Sequence, residues 1–126
     1  MTTQWHADTP IYIQLYQQVI TRILDGHILE GEALPSVRKV AADYQVNPLT
    51  ISKAYQMLQD EDIVEKQRGK GLFVKQGVLE FVRKRERETF LSQQWPAILQ
   101  QIDRLKLSPE QLLAQVGGAH AEHNND

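Results

Sequence analysis

The chain contains no cysteine, which excludes disulfides, cysteine-bound zinc and thiol nucleophiles together. Aromatic residues are scarce at 7%, and no apolar run approaches the roughly 20 residues a membrane-spanning helix needs. The first residues, Met1 to His6, lack the charged and apolar regions of a secretory signal. A cytoplasmic location with no membrane partner is therefore expected. No glycine-rich loop leads into a lysine followed by serine or threonine, so nucleotide phosphate binding is unsupported. No serine–histidine–acid set and no pair of carboxylates stands out, and neither a catalytic residue nor a cofactor is expected. His120, His123 and Asp126 carry ligand-type side chains, but a polar tail offers them no fixed geometry, so no metal is expected.

What remains is ordinary globular material: 126 residues, 41% hydrophobic and 24% charged, enough for one domain or one domain with an appendage. The net charge of −2 is neutral evidence about nucleic acid, because the signs are segregated. Residues 63–75 carry Lys66, Arg68, Lys70 and Lys75 against Glu65, a local surplus of three cations. Acids gather at Asp60-Glu61-Asp62 and around Glu30 and Glu32. A DNA-binding protein needs only one basic face.

The spacing predicts a mainly α fold with a small β-wing. Thr9 as N-cap and Pro10 at the first helical position open a helix whose apolar stripe is Ile13, Tyr16, Ile20, Ile23 and Leu24. Gly26 stops it, and a loop follows to Pro35. Ser36 then caps a short helix to about Tyr44, with Val37, Val40, Ala41 and Tyr44 on one face. Gln45-Val46 makes a turn. Asn47 caps a third helix with Pro48 at its first position, running to about Glu61 and burying Ile51, Ala54, Tyr55 and Leu58. Residues 63–65 and 72–74 read as two short strands joined by a loop containing Gly69-Lys70-Gly71. Helix, turn, helix and basic hairpin in this order form a winged helix-turn-helix domain, expected over residues 1–77.

The third helix is the element such a domain inserts into a DNA groove. With Ile51 and Leu58 facing inward, Leu49 and Lys53 point outward, flanked by Thr50 and Ser52. An outward leucine in a first helical turn fits a thymine methyl in the major groove. Thr50 and Ser52 can donate to phosphates or base edges, and Lys53 adds a cation. Asn47 can cap the helix, contact DNA, or do both. Arg38, in the first turn of the preceding helix, is placed to grip a phosphate or reach a base. At the wing tip Arg68 and Lys70 flank Gly69, which lets the hairpin turn tightly and its amides approach phosphate or minor groove. The expected partner is double-stranded DNA. A winged helix that only binds protein is the alternative, since the fold alone does not decide function.

Gly77 marks a boundary. Beyond it Leu79, Val82, Phe90, Leu91, Trp95, Ile98, Leu99, Ile102 and Leu105 lie on a largely helical segment that Pro96 interrupts at Trp95. Ser108-Pro109-Glu110-Gln111 opens a further helix through Leu112, Leu113 and Val116, ended by Gly117-Gly118. A helical module over residues 78–117 is too small to be stable alone. Leu79, Val82, Phe90, Leu91, Trp95, Ile98, Leu99, Ile102, Leu105 and Leu112 are therefore expected to pack against a second copy, giving a two-fold homodimer on a palindromic operator. Trp95 is read as dimer core rather than ligand pocket. The charged run Arg83 to Glu88 is read as solvated helix surface, with DNA flanking the half-site as its other possible contact. Residues 118–126 are expected to be disordered.

These residues resemble the GntR family of bacterial transcriptional regulators, and within it the short YtrA-like subfamily. The resemblance lies in Pro10-Ile11-Tyr12, Leu34-Pro35-Ser36-Val37-Arg38, Val46-Asn47-Pro48, Thr50-Ile51-Ser52-Lys53-Ala54-Tyr55, Arg68-Gly69-Lys70-Gly71 and Leu107-Ser108-Pro109-Glu110. It implies an N-terminal winged helix, a C-terminal part that dimerises, and DNA contacts at Arg38, Asn47, Leu49, Thr50, Ser52, Lys53, Arg68 and Gly69. Many relatives carry arginines where this chain has Pro48 and Ser52, so a family-wide operator is not implied. The resemblance implies a repressor, with transporter genes as a candidate target. About forty residues after Gly77 are too few to enclose the effector pocket of longer relatives, which leaves the dimer interface as the place where an unidentified small molecule would act.

Overall fold

The computed structural model describes residues 5–124, with side chains described through Gly117. Its elements run α1 (Ile11–Leu24), α2 (Val37–Tyr44), α3 (Pro48–Asp60), β1 (Val64–Gln67), β2 (Gly71–Val74), α4 (Val78–Thr89), α5 (Trp95–Arg104) and α6 (Pro109–Asn124), with a π-helical turn at Phe90–Gln94 joining α4 to α5. The chain divides into two compact units, one ending at Lys84 and one beginning at Arg85.

Local chemistry sets the helix starts. The Ser36 hydroxyl accepts from the Lys39 amide at 3.1 Å, and the Asn47 side-chain oxygen accepts from the Leu49 amide at 2.9 Å. Each satisfies an amide that the first helical turn leaves without a partner. Between the helices Gln45 adopts φ 55°, the left-handed conformation that turns the chain, and the Val46 amide returns to the Ala41 carbonyl at 3.0 Å. α3 buries Ile51, Ala54, Tyr55 and Leu58, the four residues its spacing predicts.

α1 departs from expectation at its start and on its buried face. Thr9 does not cap it: Pro10 is the N-cap, with no side-chain cap. The Gln14 amide does the bracing instead, donating to the His6 and Thr9 carbonyls while its oxygen accepts from the His6 amide. The buried face is Gln14, Leu15, Val19, Ile20 and Ile23, whereas Ile13 and Tyr16 are half-buried. Apolar residues spread around more than half of this helix, so periodicity does not select one stripe.

The wing pairs β1 with β2 antiparallel, from Val64 opposite Val74 to Gln67 opposite Gly71, each strand lying within about two residues of its expected position. Arg68, Gly69 and Lys70 form the connecting loop, closed by the Lys70 amide on the Gln67 carbonyl at 2.9 Å; Gly69 takes φ 75°, which a side chain would strain. The loop before α2 extends this sheet. Ala33 bridges Phe73, and the Leu34 amide donates to the Leu72 carbonyl at 2.8 Å.

The core of the first unit gathers Leu15, Val19, Ile20, Ile23, Leu34, Val40, Ile51, Leu58, Ile63, Val64 and Val74, each side chain contributing about 1.5–3 kcal/mol on full burial. It also takes in Val78 and Val82, the latter fully buried. The expected boundary at Gly77 is thus corrected: the first turns of α4 belong to the N-terminal core. Val82, read from its spacing as a dimer residue, is spent inside its own chain, and Leu79 packs against the same core.

In the second unit Pro96 does not break the helix. Proline has no amide to donate and its ring crowds the preceding turn. The backbone widens by one residue instead, with the Trp95 amide reaching the Phe90 carbonyl. At α6 the Ser108 hydroxyl accepts from the Gln111 amide at 3.4 Å and donates to the Glu110 carboxylate at 2.8 Å. That second bond comes first in holding the Glu110 carboxyl below its ordinary pKa. α6 does not stop at Gly117-Gly118 but continues to Asn124. A glycine ends a helix by turning left-handed, and Gly117 stays helical instead. The side chains of His120 and His123, and residues 125–126, lie outside the described residues.

Candidate nucleic-acid interface

The first turn of α3 carries an apolar side chain in solvent. Leu49 is 75% exposed, while Ile51, two residues on, is wholly buried. Asn47, Ser52 and Lys53 are exposed beside it; Thr50 is half-buried and offers only part of its surface. Leu49 and Lys53 stand one helical turn apart and share a face. The start of α3 thus presents a methyl-rich tip, a hydroxyl, an amide oxygen already used as cap, and a cation.

Arg38 is exposed in the first turn of α2. Tyr55 sets that turn's position against α3: its hydroxyl donates to the Pro35 carbonyl at 2.8 Å. Burial, with a smaller contribution from Tyr44, pushes the Tyr55 phenol up to about 12. The start of α2 and the wing share one shallow groove, lined by Pro35, Ser36, Val37, Tyr55, Lys70 and Leu72. Arg68, Gly69 and Lys70 are all exposed at the wing tip, and Lys66 is exposed on β1.

The cations of this surface are held differently. Lys39 pairs with Asp43 at 3.3 Å, which offsets its charge. Lys53 instead lies over the ring of Tyr12, its ammonium 4.3 Å from the ring centroid. Tyr12 belongs to α1 and escaped reading as a site residue. The Pro10-Ile11-Tyr12 motif marks it as part of the family resemblance but not as a partner of Lys53, which lies far along the chain. Among the described residues, no cluster of three or more metal-ligating side chains occurs, and no helix is long and apolar enough to cross a membrane.

The expected dimer residues outside α4's first turns lie open. Phe90, Leu91, Trp95, Leu99 and Leu105 are exposed; Ile98, Ile102 and Leu112 are half-buried. Trp95 stacks on Phe90 with centroids 6.2 Å apart. Among the described residues from Arg85 to Gly117, none is buried.

Comparison with known proteins matches this arrangement. The model of the bacterial regulatory proteins of the gntR family covers residues 11–74, just over half of the chain and the whole of the region from α1 through the wing. The transcriptional repressor YtrA of Bacillus subtilis is 44% identical over 68 residues, covering 54% of this chain and 52% of that protein. YhcF, a transcriptional regulator of the same organism, is 39% identical over 74 residues, covering 59% of this chain and 61% of its own. The chain therefore spans between half and two thirds of these relatives' length. Among solved structures, a GntR family transcriptional regulator from Listeria monocytogenes superposes with a TM-score of 0.72 at 27% identity, covering 90% of this chain and 98% of its own. YtrA from Sulfolobus acidocaldarius superposes at 0.56 and 27% identity, covering 98% of this chain and 99% of its own. With the family model running from the start of α1 to the end of the wing, this chain belongs to the gntR family of bacterial regulatory proteins, in its YtrA-like subfamily.

Proposed function

We propose that the chain is a homodimeric, sequence-specific DNA-binding repressor that occludes a palindromic operator. The observation that carries this reading is Leu49, 75% exposed at the start of a helix whose opposite side is fully packed. What sets this leucine apart is its place, in the first turn of the second helix of a helix-turn-helix and beside exposed Ser52 and Lys53, where an apolar partner on DNA can meet it. A thymine methyl on the floor of the major groove is one. Arg38 and Lys53 flank that position, and Arg68 and Lys70 reach from the wing toward adjacent phosphate or minor groove.

The second unit supports the homodimer. A helical segment with no buried residue between Arg85 and Gly117 gains a core only by association, and a second copy presents the same apolar side chains. Each protomer then reads one half-site, spaced by about one helical turn or a multiple. Such a repressor has a regulated gene and can have a small molecule that releases the operator. Transporter genes are the first candidates, and the dimer interface is the first place for an effector.

Selection of bound duplexes from a random pool tests the reading. A recovered inverted repeat, protected from cleavage by the purified chain, supports it. No enrichment and no footprint on any genomic fragment, together with a stable complex with another protein, would replace it by the protein-binding alternative.

A further inference from the structure

We propose that Tyr12 is a positioning residue for DNA recognition, holding the Lys53 ammonium ready at the α3 tip without neutralising it. The inference rests on the DNA-binding reading above and deepens it. Lys53 lies in the second turn of α3, on the face that Leu49 occupies one turn earlier. Its ammonium sits 4.3 Å from the centroid of the Tyr12 ring, and Tyr12 is in the first turn of α1, the helix that packs against α3. The ring is half-buried against the core, so it is a fixed platform rather than a second mobile side chain.

The choice of a ring matters. A lysine stem has many rotamers, and fixing it on binding is costly. A carboxylate partner would offset its charge, as Asp43 does in part for Lys39 across an exposed 3.3 Å pair. An aromatic face attracts the cation through its quadrupole and carries no net charge. The full positive charge of Lys53 stays available to a phosphate or a guanine edge, and its placement is settled before the duplex arrives.

The test uses the full chain and a duplex selected by the wild-type protein, with affinity read by fluorescence anisotropy at one fixed salt concentration. Tyr12→Leu is expected to weaken binding by about two- to five-fold, the range for one exposed cation–aromatic contact. Tyr12→Phe and Tyr12→Trp keep a ring and are expected to bind as wild type or tighter. In a Lys53→Met background, Tyr12→Leu is expected to cost nothing further. Equal loss from Tyr12→Leu in both backgrounds would mean that Tyr12 acts by itself. Unchanged or tighter binding by Tyr12→Leu would mean that the ring merely withholds Lys53. Either result overturns the proposal. If Tyr12→Leu does not fold, as thermal melting will show, the ring-retaining variants decide, and a loss of affinity in both overturns it. A wild-type protein that enriches no duplex sinks the DNA reading itself, a failure distinct from any of these.

Discussion

The Tyr55 hydroxyl reaches across from α3 to donate to the Pro35 carbonyl at 2.8 Å, fixing the entry to α2 against the helix behind it. Removing it by Tyr55→Phe keeps the packing of the ring and leaves the carbonyl without its donor, a loss of about 1 kcal/mol. The effect of pH has a definite sign. The phenol is pushed up to about 12 by burial, so the fold favours its neutral form. That stabilisation is complete below pH 10, the ordinary phenol value, and is lost as pH rises through 12. Urea unfolding should show the wild type losing on the order of 2 kcal/mol more than Tyr55→Phe between pH 9 and pH 12. Parallel pH curves for the two proteins would remove Tyr55 from this role.

Glu30 makes a second such tie, at the other end of the wing. Its carboxylate accepts from the Leu79 amide at 3.0 Å, and this bond, followed by one from the Gly77 amide, holds its pKa below the ordinary carboxylate value. The folded state therefore favours the charged form. Its contribution is complete above the unfolded carboxylate pKa and disappears as pH falls through the lower folded value. Glu30→Gln should melt below wild type at pH 7, and the two melting temperatures should converge under acid conditions. A constant gap across the acid range would show that the charge plays no part.

How much of this was legible beforehand depends on the range of the interaction. Ser36 and Asn47 were readable as caps because the amides they bond lie two or three residues away. The buried face of α3 was readable because its apolar residues keep one helical period. Leu15, Val19 and Gln14 were not, because α1 is apolar on several sides and only its tertiary neighbours choose among them. Val82 has the same apolar side chain and spacing whether it faces its own core or another chain. Its full burial in the first unit decides that question by packing, which periodicity does not encode. At the candidate interface, the exposure of Leu49, Arg38, Lys53 and the wing loop follows from helix phase and turn chemistry. The contact of Tyr12 with Lys53 does not, since it joins two helices with no local sequence relation.

Leu49 separates recognition from stability. At 75% exposure its truncation opens no cavity, so Leu49→Ala should leave the melting temperature within the small range of surface substitutions. Affinity for the selected duplex should fall, and replacing the contacted thymine by uracil, which lacks the methyl, should cost the wild type but not the variant. Arg38→Ala and Lys53→Ala should each weaken binding by about 1–3 kcal/mol if they reach bases, and less at phosphates. In the proposed dimer, Arg38, Lys53, Arg68 and Lys70 of each protomer would set the electrostatic scale. With roughly 6–8 phosphates neutralised, log affinity should fall with log salt at a slope of about −5 to −7. A slope near zero on the selected duplex would dismiss this electrostatic contribution.

Trp95 is the sharpest probe of association. It stacks on Phe90 with ring centroids 6.2 Å apart, yet stays 38% exposed, among neighbours that include exposed Leu91 and Leu99. An aromatic pair of this kind is worth most when water is excluded from both faces, which a second copy would do. Trp95→Asp would place a charge in that contact, where its desolvation has no compensating partner. Sedimentation should then show a monomer at concentrations where the wild type is a dimer. The winged helix should remain folded by circular dichroism, because its core from Leu15 to Val82 does not include Trp95. Affinity for the full inverted repeat should drop to that for a single half-site. A Trp95→Asp protein that still sediments as a dimer and binds the full repeat as wild type would place the association surface elsewhere on the chain.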